Sequence, residues 1–104
     1  MDNDLLTAKK MLDSGNAVVL VCNGMVLTNN KGLDIALNEF ISSKFDFKKF
    51  VLGIVEVKSI ISSLIIDLKV KCIITYKLSN IAKEKLENNG IKCSYKELIN
   101  EFEN

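Results

Sequence analysis

The chain has 104 residues, of which 48% are apolar, so it is the size of one domain with enough apolar content for a real core. Its net charge is only +1, with acids and bases interspersed, which gives no support for a nucleic-acid partner short of a local basic patch. The longest apolar runs are broken by Glu56, Lys58, Asp67 and Lys69, which excludes a membrane span.

Met1 is followed by Asp2 and Asp4, so no basic region of a secretory signal is expected. Cys22, Cys72 and Cys93 are odd in number, far apart and without a CxxC pair, and read as buried thiols of a reduced, cytoplasmic protein. There is no histidine, which removes the commonest general base and the commonest zinc nitrogen ligand. There is no proline either, so glycine, asparagine and serine mark the turns.

NDLLTAKKMLDSGNA predicts a first helix, capped by Asn3 or Asp4, with Leu5, Ala8 and Leu12 on one face and a stop at Ser14-Gly15-Asn16. AVVLVCNGMVLTN predicts two strands, 17–22 and 25–29, joined at Asn23-Gly24 by a two-residue hairpin turn. NNKGLDIALNEFISS predicts a second helix with Leu33, Leu37, Phe40 and Ile41 inward and Ala36 beside them. KFDFKKF is irregular, and its three phenylalanines read as closing the core under a loop.

FVLGIVE is a continuous apolar strand, as for the middle of a sheet covered on both faces. KSIISSLIIDLK is β-rich, yet Ile61, Leu64, Ile65 and Leu68 keep helical spacing, and a helix is predicted. VKCIITYK is a strand, and LSNIAKEKLENNGI is a helix capped by Ser79 or Asn80 and ended by Asn89-Gly90. IKCSY is a short last strand, and Ser94 with Glu97 forms a capping box for a final helix burying Leu98, Ile99 and Phe102. Strands joined by single helices pair in parallel with right-handed crossovers, so helices are expected on both faces and the opening hairpin adds an antiparallel edge. The expected fold class is α/β: a three-layer α/β/α sandwich on a five-stranded mixed sheet, one domain over residues 1–104.

Particular residues carry a resemblance to a family. GNAVVLVCNGMVLTNNKGLDIAL, VEVKSIISSLI and LSNIAKEKLENNGIKCSYKELI together resemble DUF1893, the Tm1506-like family of small bacterial and archaeal proteins with a cytidine deaminase-like fold. Lys31-Gly32-Leu33 matches the family's Lys-(Arg)-Gly-Val step, and Ser79, Ala82, Leu86, Gly90, Ile91, Ser94 and Tyr95 match its C-terminal run with one spacing changed. The family's marked Asp-Lys-Val-Val-Gly-Lys-Ala-Ala-Ala segment falls on Val55 to Ser63, where Val57 survives and Ser59 replaces the glycine. Its Asn-Arg and Cys-Pro tail has no counterpart before Asn104, which implies a divergent, C-terminally shortened member. The resemblance implies the strand order 2-1-3-4-5 and brings no established activity.

Zinc deaminases of that fold hold the metal between two helix N-termini, with His-x-Glu on one and Pro-Cys-x-x-Cys on the other. The matching places, near Lys31-Gly32-Leu33 and Glu56-Val57-Lys58-Ser59, lack these ligands, so no metal or other cofactor is expected. If the first and fourth strands run parallel, Cys22 and Cys72 lie at opposite ends of the sheet, too far apart to share zinc. Unpaired N–H groups at two helix starts, with Lys31 and Lys58 adding charge, suit a small anionic or nucleotide-like ligand. The candidate binding residues are Lys31, Gly32, Glu56, Lys58 and Ser59, set against the plain reading of a solvated turn with Ser59 as N-cap.

The leading expectation is a non-catalytic small-ligand-binding or regulatory domain. The alternatives are a metal-independent enzyme using Glu56 with Lys31 or Lys58, and a protein–protein adaptor working through the hairpin edge. A homodimer through that edge or through Ile60 and Ile66 is also open. Lys44 with FDFKKF could form a nucleic-acid patch with interleaved aromatics, but three lysines in one short loop read first as solvent-facing charge, and nucleic acid is not the expected partner. Tyr76 either stacks on a ligand or closes the core edge, and Ser62-Ser63 lacks a base to make it a nucleophile.

Overall fold

In the computed structural model, which describes residues 3–102, the chain turns sharply at Asn23 and Gly24, with φ of 49° and 82°. Asparagine and glycine tolerate this left-handed geometry, and it matches the twist of the strands they join, β1 (Val18–Cys22) and β2 (Met25–Thr28). Ahead of them runs α1 (Asn3–Asp13), and Gly15 leaves it with φ 105°. Then follow α2 (Leu33–Ser42), β3 (Val51–Val57), α3 (Ser59–Leu68), β4 (Cys72–Ser79), α4 (Asn80–Asn88) and β5 (Lys92–Ile99). The readings made at Met1–Asp2 and at the Asn104 end lie outside the described residues.

The sheet order is β2-β1-β3-β4-β5, as expected. Strand β3 pairs parallel with β4 and β4 with β5, while β1 pairs antiparallel with both β2 and β3. The antiparallel strand is therefore β1, inside the sheet, and not the edge: the hairpin turns the chain back, so β2 points the same way as β3. Each crossover from β2 onward then steps in the same direction across the sheet. Right-handed connections that step one way place their helices on one face. Accordingly Ala36 and Leu37 of α2, Ile65 of α3 and Ala82 and Leu86 of α4 share one core with Leu52, Ile54, Ile73 and Leu78. On the other face, among the described residues, only α1 packs, with Ala8 and Leu12 against Val19, Val21 and Val51. Helices do cover both faces, but three to one. At Gly53 a Cβ would meet the Ala8 Cβ at 3.3 Å and the Leu12 Cγ at 3.4 Å, so glycine lets α1 lie close on the central strand.

Two further expectations are corrected. The final helix is absent among the described residues: Ser94 and Glu97 lie within β5, which runs to Ile99 and pairs with the whole of β4. The Ser-x-x-Glu spacing imitated a capping box, but backbone pairing with β4 satisfies more groups than a single cap. Leu98 and Phe102, expected inside, are 49% and 84% exposed. Second, because β1 runs against β3 and β4, Cys22 and Cys72 lie at the same end of the sheet, not at opposite ends. They nonetheless face different layers, Cys22 the three-helix core and Cys72 the α1 core, and all three thiols are part-buried. Of the loop phenylalanines, Phe47 and Phe50 do close the core, while Phe45 is 57% exposed. No helix among the described residues is long and apolar enough to cross a membrane.

Candidate functional site

In a sheet of parallel strands, backbone N–H groups at the helix starts gather at the strand C-terminal ends, and ligand chemistry concentrates there. At that end β3 runs into α3 through Lys58, and β4 runs directly into α4. Ser79 is the N-cap of α4: its hydroxyl oxygen accepts the Ala82 N–H at 3.0 Å. Ser59 is not the N-cap of α3, as the solvated-turn reading had it. Lys58 holds that place with extended backbone and no side-chain cap, and Ser59 is the first helical residue.

What caps α3 comes from far along the chain. The Ser59 N–H donates to Glu101 Oε1 at 3.0 Å, and the Ser59 hydroxyl donates to Oε2 at 2.9 Å. The Ser79 hydroxyl donates to Oε1 at 2.7 Å, and the Glu101 N–H donates to Asn80 Oδ1 at 2.7 Å. One carboxylate thus joins the starts of two helices. Its pKa lies below the ordinary glutamate value because the Ser79 hydroxyl holds the charged form; burial opposes this, while the Ser59 hydroxyl, the Ser59 N–H and the Lys58 charge support it. The helix dipoles favour a negative charge at the same spot. Ser62 takes no part: its hydroxyl is buried and donates back to the Ser59 carbonyl at 2.6 Å.

The five candidate residues are distributed unevenly around this cradle. Ser59 is in it and Lys58 flanks it. Lys31 is drawn away by an ion pair with Glu39 at 3.1 Å, and Asn29 donates to the same carboxylate at 2.8 Å. Gly32, with φ 127°, is the N-cap of α2, and its carbonyl accepts the Ala36 N–H at 2.9 Å. Glu56 is half-buried and stands beside Lys77 across the β3–β4 ladder, with Glu97 next in the row on β5. The alternation of faces slips just before this row: Ile54 and Val57, three residues apart, both face the three-helix core. Lys77 and Glu97 therefore border an open hollow with Tyr76 and Asp13. There the Tyr76 hydroxyl donates to Asp13 Oδ1, which pushes the phenol up to about 12 and holds the Asp13 carboxyl below its usual value. Tyr76 thus closes an edge between β4 and α1.

Sequence reasoning named Ser79 and Asn80 only as alternative caps and missed Glu101. Nothing local marks a carboxylate that acts 42 residues away, and its segment was expected to be helical.

The zinc chemistry of the fold does not fit these residues. The chain has no histidine, and among the described residues no group of three His, Cys, Asp or Glu side chains could hold a metal. The thiols of Cys22, Cys72 and Cys93 sit at the end of the sheet away from the cradle, and burial pushes Cys93 up to about 11, a thiol that stays protonated.

No protein-family model matches the chain, and no curated protein does. Solved structures do. A DUF1893 family protein (TM1506) from Thermotoga maritima superposes with a TM-score of 0.75 at 18% identity, over 95% of this chain and 69% of that one. A dCMP deaminase from the cyanophage S-TIM5, in apo form, superposes with a TM-score of 0.60 at 15% identity, over 95% of this chain and all of that one. The resemblance read from Lys31-Gly32-Leu33 and from Ser79 onward is thus accompanied by a likeness of backbone, and the chain has the deaminase-like fold that a DUF1893 protein also has.

Proposed function

We propose that this chain is a non-catalytic binding domain of the DUF1893 type, which keeps the deaminase-like frame and uses the helix starts at its strand ends to hold a small anionic group. One observation carries the reading: a backbone N–H and two hydroxyls, from Ser59 and Ser79, converge on a single carboxylate, that of Glu101. Three donors on one carboxylate define an acceptor-shaped cradle, and any ligand carrying a carboxylate or phosphate competes with Glu101 for it. Lys58 extends the positive field at the rim. The metal-independent enzyme finds less support, since Lys31 is engaged by Glu39 ahead of α2 and Glu56 stands beside Lys77 in the β3–β4 ladder.

A thermal-shift screen against nucleotides, nucleosides and small carboxylates tests this. Ligands with a phosphate or carboxylate are expected to raise the melting temperature in proportion to log concentration, and neutral nucleosides are not. Ser59→Ala is expected to abolish the shift. Stabilisation by nucleosides equal to that by nucleotides, or shifts that survive in Ser59→Ala, contradict the cradle. A second reading, an adaptor, is favoured by Met25 and Val26, which are 53% and 36% exposed on the edge strand β2.

A further inference from the structure

The stretch from Lys44 to Phe50, which reads first as solvent-facing charge, lies at the opposite end of the sheet from the cradle. The near-neutral total hides an uneven distribution. The connections 43–50 and 69–71 bring Lys44, Lys48, Lys49, Lys69 and Lys71 to one end of the molecule, and Lys92 joins them at the start of β5, beside Cys72. A backbone bond from the Lys71 N–H to the Phe50 carbonyl, at 3.0 Å, ties the first two loops together. Lys48, Lys69 and Lys71 border one open hollow of about 410 Å³ with Asn89 and Gly90, and no acidic side chain lines it.

Elsewhere three lysines are paired within the chain, while Lys10, Lys58, Lys77, Lys85 and Lys96 have no ion pair among the described residues. Lys9 pairs with Asp13, Lys31 with Glu39 and Lys83 with Glu87, at 3.0, 3.1 and 3.1 Å. At this end, among the described residues, Lys44, Lys48, Lys49, Lys69 and Lys92 have no ion pair. The loop's own acid, Asp46, is turned to the backbone, where it accepts the Lys48 N–H at 2.9 Å. Helix C-termini explain some of the charge, since Lys69 is the C-cap of α3. They do not explain five exposed lysines without an ion pair among the described residues.

The aromatic next to Lys44 adds the second half of the argument. Phe45 is 57% exposed, yet its ring is held against Phe47 at 5.1 Å and edge-on to Phe50 at 5.9 Å, both buried. A ring fixed from behind and open in front is a stacking platform, with little ordering left to do on binding. A compact anion suits this end poorly, because the carbonyls ending α3 and α4 point there. The lysines are spread over three segments, as an extended chain of phosphates requires.

We infer that this end is a binding surface for single-stranded nucleic acid, with Lys44, Lys48, Lys49 and Lys69 following the phosphates and Phe45 stacking on an unpaired base. A duplex offers the same phosphates but hides its base faces, so the platform selects the single strand.

Fluorescence anisotropy with labelled 12-mers of deoxythymidine and of uridine, a 12-mer duplex and a heparin competitor tests it. The single strands are expected to bind the whole chain at 50 mM salt, with log K falling against log salt at a slope of about −3, as four phosphate contacts imply. The double variant Lys48→Glu/Lys69→Glu is expected to lose at least tenfold. Lys10→Glu/Lys96→Glu, the same charge change on α1 and the α1 side of β5, is expected to lose less than twofold. Phe45→Ala is expected to lose several-fold for single strands and nothing for heparin. Circular dichroism melts check that each variant folds. Equal binding of duplex and single strand, or full affinity in Phe45→Ala, makes this a general polyanion surface and overturns the inference. So does loss in the control pair equal to that in Lys48→Glu/Lys69→Glu, or no binding at 20 mM salt.

Discussion

At the C-terminal ends of β3 and β4 a single carboxylate meets a backbone N–H and two hydroxyls supplied by the chain itself. At their N-terminal ends five lysines meet no carboxylate among the described residues. The first end is half-buried, and donors withheld from water must be satisfied internally or they cost stability. The second is exposed, where water and salt screen each charge and unpaired lysines cost little. The contrast teaches that polar groups withheld from water are paired inside the fold at one end, while charges open to water stay unpaired at the other. Substitutions separate the two.

The largest expected loss comes from beneath the cradle. Leu78 is fully buried directly before Ser79, and Leu78→Ala is expected to lower unfolding free energy by about 2–5 kcal/mol in a denaturant melt. Ser79→Ala removes the α4 cap and one donor to Glu101, and about 1–2 kcal/mol is expected. Both variants sharpen the view that this end is structural before it is functional. If Ser79→Ala is silent, the cradle is an incidental contact.

Glu101→Gln is expected to cost less, under about 1 kcal/mol at pH 7, because the carboxylate is partly solvated. Its pH dependence is the sharper test. The folded pKa of Glu101 is lowered, so its contribution is present above the unfolded value near 4.5 and lost as pH falls through the folded value. The gap between wild type and Glu101→Gln, followed by urea melts from pH 7 to pH 2.5, is expected to close on the acid side. Smallest of all, Lys48→Gln and Lys69→Gln are each expected to change stability by no more than about 0.5 kcal/mol. A loss comparable to that of Ser79→Ala at either lysine breaks the contrast between the ends.

Much of this frame was legible from local signals. Asn23-Gly24 fixed the hairpin, helical spacing found α1 to α4, and Ser79 announced a helix start. What local signals could not carry is direction and distance. Whether β1 or β2 is the antiparallel strand depends on which one joins β3. The helix expected after Ser94 fails because β4 offers an open ladder along all of β5. At the site, Ser59 was found through its place before an apolar helix, whereas Glu101 acts across 42 residues and Lys48 meets Lys69 only because two crossovers end side by side. Even charge composition concealed the basic end.

Chemical rescue of Glu101→Ala tests the central claim most directly. The vacated cradle is expected to take acetate or inorganic phosphate in place of the missing carboxylate. An anion at ten times its dissociation constant adds about 1.4 kcal/mol, and each kcal/mol moves the melting temperature of a domain this size by about 4–8 °C. At ionic strength matched with chloride, acetate or phosphate is expected to raise the melting temperature of Glu101→Ala well above its effect on wild type, and the gain is expected to vanish in Ser59→Ala/Glu101→Ala. Identical shifts in all three proteins would contradict an anion-binding cradle at the starts of α3 and α4.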